Sequence, residues 1–223
     1  PDPTRYKGVM TPEIKICGLK DGTMLAAAAN AGATMAGFVF YPRSPRSVTL
    51  EAAAALATVT PPSLCKVALV VDPDDRQLRD IADALAPDLV QAHGRESPAR
   101  TAAIEDLLGL PVMKAVAVAD GGDIAGARAY VGHASRILFD AKPPKDVANA
   151  LPGGNGVQFD WHLLADWTAE VRWMLSGGLD SGNVAEAMRI SGAPGVDTSS
   201  GVETRPGVKD AAKIAAFVAA VAA

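Results

Sequence analysis

Short β-branched, apolar runs alternate along this chain with Ala- and Leu-rich stretches of helical period, and no other feature restricts its fold so strongly. Strands are expected at 14–17, 36–40, 66–71, 89–93, 112–118, 136–140, 172–176 and 196–199. Helices are expected at 23–31, 50–58, 76–85, 99–108, 124–131, 163–170, 183–190 and 210–221. Short polar residues stand just before or within first helical turns: Asp21, Thr49, Asp75, Ser97, Ser181 and Asp210. Right-handed strand–helix–strand units leave two large architectures, an open doubly wound sheet and a closed (β/α)8 barrel. Eight pairs in 223 residues, about 28 residues per unit, favour closure. An open dinucleotide-type sheet would carry a glycine-rich turn after its first strand, whereas Cys17-Gly18-Leu19-Lys20 holds one glycine. The expectation is an α/β protein with a single-domain (β/α)8 TIM barrel over 13–223, preceded by an N-terminal extension, 1–12.

Charge narrows the partners. Lys and Arg number 21 against 25 Asp and Glu, a net of -4, so no positive field awaits a polyanion and nucleic acid is not expected. No run approaches the roughly 18 apolar residues of a membrane span. Pro1 to Glu13 lacks the apolar core of a signal peptide, so a soluble, cytoplasmic protein with no membrane partner is expected. Nothing marks an obligate interface; a monomer is expected, with a homodimer as the alternative. Cys17 and Cys65 are too few for a disulfide scaffold, and a barrel sets them at opposite ends of their strands, beyond the ~7 Å Cα separation a disulfide spans. No His, Cys and carboxylate spacing meets a zinc pattern, so no metal is expected.

A barrel of this kind builds its site at the carboxyl ends of its strands. Three glycine-rich turns fall late in the chain: Gly153-Gly154-Asn155-Gly156, Ser176-Gly177-Gly178 and Ser199-Ser200-Gly201. Each alone reads equally well as an ordinary turn or as part of an anion site. Together, two of them after the seventh and eighth strands, they indicate a phosphate site in which glycine backbone N–H groups and serine hydroxyls approach an anion. Its contributors would be Gly154, Gly156, Ser176, Gly177, Gly178, Ser199, Ser200 and Gly201, and the ligand a phosphorylated small molecule.

Cys17 ends the first strand, and alternation turns it and Lys15 inward while Ile14 and Ile16 face the helices. A buried cysteine is ordinarily a small hydrophobe, but at this place its thiol can also be tuned into a base or nucleophile. Lys15, if buried, needs a carboxylate, and Asp197 on the adjacent last strand is the candidate. Asp140 closes the sixth strand, as a proton carrier or as a helix cap or partner of Lys142. Arg46, after the second strand, suits a bidentate grip on a substrate carboxylate, with a solvated arginine as the alternative. His93 ends the fourth strand as a packing or supporting histidine or a proton carrier.

The motifs Ile14-Lys15-Ile16-Cys17-Gly18, Gly37-Phe38-Val39-Phe40-Tyr41-Pro42-Arg43-Ser44-Pro45-Arg46, Gly153-Gly154-Asn155-Gly156 with Phe159-Asp160-Trp161, Ser176-Gly177-Gly178-Leu179 and Val196-Asp197-Thr198-Ser199-Ser200-Gly201-Val202-Glu203 with Pro206-Gly207-Val208-Lys209-Asp210 stand in one order. The chain closely resembles the phosphoribosylanthranilate isomerases over Glu13 to Phe217. The resemblance implies a (β/α)8 barrel performing the Amadori rearrangement of N-(5-phosphoribosyl)anthranilate in tryptophan biosynthesis, without a cofactor. It implies that Asp140 is the general acid that opens the furanose ring, Cys17 the base that removes the C2 proton, Arg46 the ligand of the anthranilate carboxylate and the late glycine turns the phosphate cup. Three residues depart from the pattern: Ala92, expected to widen or loosen the barrel mouth, Asn155 and Phe139. Two alternatives accompany this reading: another phosphosugar aldose–ketose isomerase, and a non-catalytic phosphosugar-binding barrel.

Overall fold

A computed structural model describes residues 12–143, 153–154, 156–168 and 171–223. Most of the expected N-terminal extension lies outside the described residues. Eight parallel strands, β1 (Glu13–Cys17), β2 (Met35–Phe40), β3 (Cys65–Val70), β4 (Leu89–Ala92), β5 (Val112–Val118), β6 (Arg136–Ala141), β7 (Arg172–Leu175) and β8 (Gly195–Thr198), close in chain order into a barrel. Closure is made by β8 pairing with β1, in a register that sets Asp197 beside Lys15. The expected barrel is therefore present. Strands β4, β7 and β8 stop one residue short of His93, Ser176 and Ser199. The first two of these still extend the ladder, His93 N–H donating to the Val70 carbonyl at 2.8 Å and Ser176 N–H to that of Phe139 at 2.7 Å.

Two-residue alternation sorts the strand side chains between the barrel interior and the helix layer. Ile14, Ile16, Val90, Ala92, Ile137 and Phe139 belong to the outer core beneath the helices. Met35, Val67, Leu89, Met113, Leu138 and Met174 fill the interior toward the amino ends of the strands. Two residues further along, the same faces carry Gln91, Asp140 and Ser176, all buried. The apolar floor thus fixes which polar side chains point into the mouth.

Among the described residues seven α-helices cover the outside: α1 (Gly22–Ala31), α2 (Leu50–Val59), α3 (Asp75–Leu85), α4 (Pro98–Leu108), α5 (Gly121–Ala127), α6 (Val184–Ser191) and α7 (Ala211–Val221). Asp21, Thr49, Ser97 and Asp210 cap α1, α2, α4 and α7 by accepting first-turn amides. Helix α3 is capped by Asp74, one residue before the expected Asp75, in a reciprocal pair with Gln77. Before α6 the cap position is Asn183, two residues past Ser181, and it makes no side-chain cap bond.

The helix expected at 163–170 is the main correction. Trp161–Leu164 form a 3-10 turn opened by Asp160, whose carboxylate accepts from His162 N–H, and no α-helix occurs among the described residues of this interval. Asp, Trp and Thr at 166–168 are poor helix formers, and Trp167 is instead committed to packing edge-on against Phe139, ring centroids 5.0 Å apart. The expected 124–131 helix is α5 followed by a 3-10 turn, Arg128–Tyr130. After β8 the chain adds an unanticipated antiparallel pair, β9 (Glu203–Arg205) with β10 (Val208–Lys209). Among the described residues no helix is long and apolar enough to cross a membrane.

Candidate active site

An open pocket of about 730 Å³ lies at the carboxyl ends of the strands and is lined by Cys17, Arg46, His93, Asp140 and Asp197 together with the glycine–serine turns. Cys17 and Ser199, 182 positions apart, meet there, the serine hydroxyl donating to the Cys17 carbonyl at 3.0 Å. Among the expected phosphate residues, Gly154, Gly156, Ser176, Gly177, Gly178, Ser199 and Ser200 line it. Gly201 is absent from that lining; its Cα backs onto the Leu179 carbonyl, where a side chain would collide, so its role visible here is to let the loop after β8 lie on the loop after β7. Asn155 lies outside the described residues. Ala92 points into the helix layer, not the mouth, so its small side chain acts on helix packing rather than on the opening.

Lys15 is fully buried and donates to Asp197 Oδ1 at 2.9 Å, the pairing proposed from strand adjacency. Ser176 Oγ donates to the other carboxylate oxygen at 3.2 Å. Burial disfavours the Lys15 ammonium, but Asp197, with Cys17 beside it, outweighs that and holds the lysine charged above its ordinary range. A Cβ on Gly37 would stand 3.0 Å from Cys17 Sγ and 3.1 Å from Lys15 Nζ, so only glycine on β2 leaves room for both heads. Burial pushes the Cys17 thiol up; Lys15 and Lys209 pull it down and Asp197 adds to the rise, with a net upward shift. The resting group is accordingly a thiol at neutral pH. In a Cys65→Ser chain, iodoacetamide should therefore modify Cys17 slowly at pH 7, with a rate rising tenfold per pH unit past the ordinary thiol value of about 8.5. A rate that levels off below that value would contradict the upward shift.

Across the mouth, Asp140 Oδ1 accepts from the Ala141 amide at 2.9 Å and Oδ2 lies 3.2 Å from His93 Nε2. A Cβ on Gly153 would meet that oxygen at 2.6 Å and His93 Nε2 at 2.7 Å, so the loop can cover this pair only with glycine there.

Arg46 is buried and already engaged: Nε donates to Glu203 Oε1 at 2.8 Å and Nη2 to Oε2 at 2.9 Å. Lys209 Nζ reaches the same Glu203 Oε1 at 2.8 Å and donates to the Ser199 carbonyl at 2.8 Å. Burial opposes the charge of Glu203, but Arg46 and Lys209 outweigh it and hold the carboxyl below the usual glutamate range. The Nη1 side of the fork lies against Gly154, in the pocket wall, where a Cβ would stand 2.6 Å away. Glu203 and Lys209 thus hold pocket residues in place from behind, a role that periodicity and turn chemistry missed. Both sit on the β9–β10 pair, and no local pattern in the sequence reveals their partner.

The sequence profile of the N-(5'phosphoribosyl)anthranilate (PRA) isomerase family matches residues 14–220. The chain belongs to this family. PRA isomerase from Rhodopseudomonas palustris strain HaA2 is 55% identical over 214 residues, covering 96% of this chain and 97% of that protein. The enzyme of Rhodospirillum centenum is 53% identical over 214 residues, covering 96% and 100%. Among solved structures, a PRA isomerase in complex with reduced 1-(o-carboxyphenylamino)-1-deoxyribulose 5-phosphate superposes with a TM-score of 0.82 at 31% identity, covering 95% of this chain and 98% of that one. The Thermotoga maritima PRA isomerase gives 0.85 at 32% identity, with coverage of 95% and 98%. A PRA isomerase is an enzyme of tryptophan biosynthesis, and the barrel described above is the scaffold its relatives share.

Proposed function

We propose that Asp140 and Cys17 carry out, as acid and base, the rearrangement of N-(5'-phosphoribosyl)anthranilate to 1-(2-carboxyphenylamino)-1-deoxy-D-ribulose 5-phosphate that membership in this family entails. The observation that carries the assignment is that the Cys17 thiol, from β1, and the Asp140 carboxyl, from β6, line the same pocket as the glycine–serine turns. The Asp140 proton passes to the furanose ring oxygen as the C1–O bond breaks and the nitrogen lone pair forms a C=N⁺ bond. That cation acidifies the C2 proton, which the minor fraction of Cys17 ionised to thiolate removes; the C–H electrons form the C1–C2 double bond of an enolamine while the C=N⁺ pair returns to nitrogen. Tautomerisation of the enol gives the ketone. Oxidation state is conserved over the whole molecule, so no redox partner enters.

Phosphate held by the turns around Gly154, Gly156, Gly177 and Gly178 anchors the sugar, and Asp197, fixed by Lys15 and Ser176, is placed for a sugar hydroxyl. The Nη1 side of Arg46 takes the anthranilate carboxylate while Glu203 holds the other edge of the fork. Arg46→Ala should raise KM with a loss of about 1.5–3 kcal/mol in kcat/KM, the scale of a charged hydrogen bond. The same loss with a substrate built on aniline, which lacks the carboxylate, would show that the arginine serves only to hold Glu203.

The reaction is tested with N-(5-phosphoribosyl)anthranilate generated in place from anthranilate and phosphoribosyl pyrophosphate. Fluorescence decay accelerated by the purified chain supports the assignment. A folded protein that binds the phosphosugar without accelerating decay would leave the non-catalytic alternative.

A further inference from the structure

Gln91 belongs to no motif considered above, yet it stands at the closed end of a hydrogen-bonded chain that terminates on the acid. It points inward from β4, two residues before His93, and is fully buried. Its Nε2 lies 2.7 Å from His93 Nδ1, and His93 Nε2 lies 3.2 Å from Asp140 Oδ2. A carboxamide nitrogen only donates, so the Nδ1 it faces carries a lone pair and the ring proton sits on Nε2, aimed at Asp140. The remaining amide atom, Gln91 Oε1, is buried without a partner. The opposite amide orientation would bury the NH2 group there instead, and unpaired N–H groups are tolerated less well than an under-used carbonyl.

We propose that Gln91 is a positioning residue for the acid step: its N–H holds His93 neutral, with the proton on Nε2, and so prevents the imidazole from taking the proton that Asp140 must deliver. Two consequences follow from the geometry. An Nε2 that bears hydrogen offers Asp140 no acceptor, which leaves the carboxyl proton for the ring oxygen of the substrate. Forming an imidazolium would put a second N–H on Nδ1, head to head with the Gln91 donor. Once Asp140 has given up its proton, the same Nε2–H steadies the carboxylate. Without the glutamine, nothing would oppose a proton at Nδ1, and the imidazole 3.2 Å from Asp140 would be free to take the proton the acid must deliver. The inference rests on the assignment of Asp140 as the acid.

The deciding measurement is a ¹⁵N–¹H spectrum of the folded, otherwise wild-type chain at pH 7, with the exposed His133 and His162 replaced by Gln so that His93 reports alone. A neutral ring protonated at Nε2 is expected. A ring protonated at Nδ1, or an imidazolium, overturns the proposal whatever any variant does. Gln91→Met, which keeps length but removes the donor, should lower kcat by about 10- to 100-fold, as for partners that orient metal-bound imidazoles, with KM changed less than about threefold. Gln91→Glu, which accepts from Nδ1–H and draws the imidazolium, should lower kcat further and show both ring nitrogens protonated. Wild-type kcat in folded Gln91→Met overturns the proposal. Failure of the underlying assignment looks different: Asp140→Asn would keep turnover while the His93 spectrum stays protonated at Nε2.

Discussion

Asp140→Asn should bind substrate and product nearly as the parent does while kcat falls by about 10²-fold or more, the scale of a lost general acid. Asparagine preserves the volume at the end of β6, and its carbonyl can still accept from the Ala141 amide that meets Asp140 Oδ1 at 2.9 Å. What disappears is the transferable proton, so the loss belongs in kcat with KM little moved, about 2.7 kcal/mol or more of transition-state stabilisation. Single-turnover fluorescence decay separates this from slow product release. Near-normal turnover would reject the assignment of Asp140 as the acid and direct attention to His93, which lines the same side of the pocket.

Replacing Cys17 by serine changes one atom and should be as damaging. A hydroxyl is far harder to ionise than a thiol, even one that burial has pushed up, so the C2 proton loses its acceptor and kcat should fall by about 10²-fold or more. The fold has little reason to suffer, because serine keeps the shape of the side chain that packs with Val39 and Leu69 in a small apolar cluster inside the mouth. Cys65→Ser is the matching control. That thiol begins β3 at the opposite end of the barrel, burial pushes it up to about 11, and it should be dispensable for turnover. A fully active Cys17→Ser chain would point to another base, with the neighbouring Asp197 the first to examine.

Local periodicity carried much of this molecule. Eight apolar runs separated by capped helical stretches specify parallel strands with covered faces, and period-two alternation then dictates that Lys15, Cys17, His93, Asp140 and Asp197 turn inward. Where bulky side chains met a weak helical stretch, periodicity failed. At 163–168 the packing of Trp167 on Phe139 outweighed the count of helix formers. The cap of α3 moved by one residue because Asp74, not Asp75, has Gln77 three residues ahead to close the reciprocal bond.

The motifs, by their order and through the resemblance they carry, likewise led to the substrate, since a particular series of turns and strand ends is a property of the chain. The partners of the buried charges are not. Arg46 meets Glu203 across 157 positions, and Lys15 meets Asp197 across 182. Gln91 and His93 are two residues apart, but their link to Asp140 crosses from β4 to β6. Such contacts exist only once the barrel closes, because the register of each strand against the next decides which inward-facing groups share a level. Burial then makes each pairing consequential, since a charge removed from water must find its counterpart within the barrel mouth. Which residues face the mouth thus follows from the order of amino acids; which of them hold, charge or restrain one another is decided by closure of the sheet.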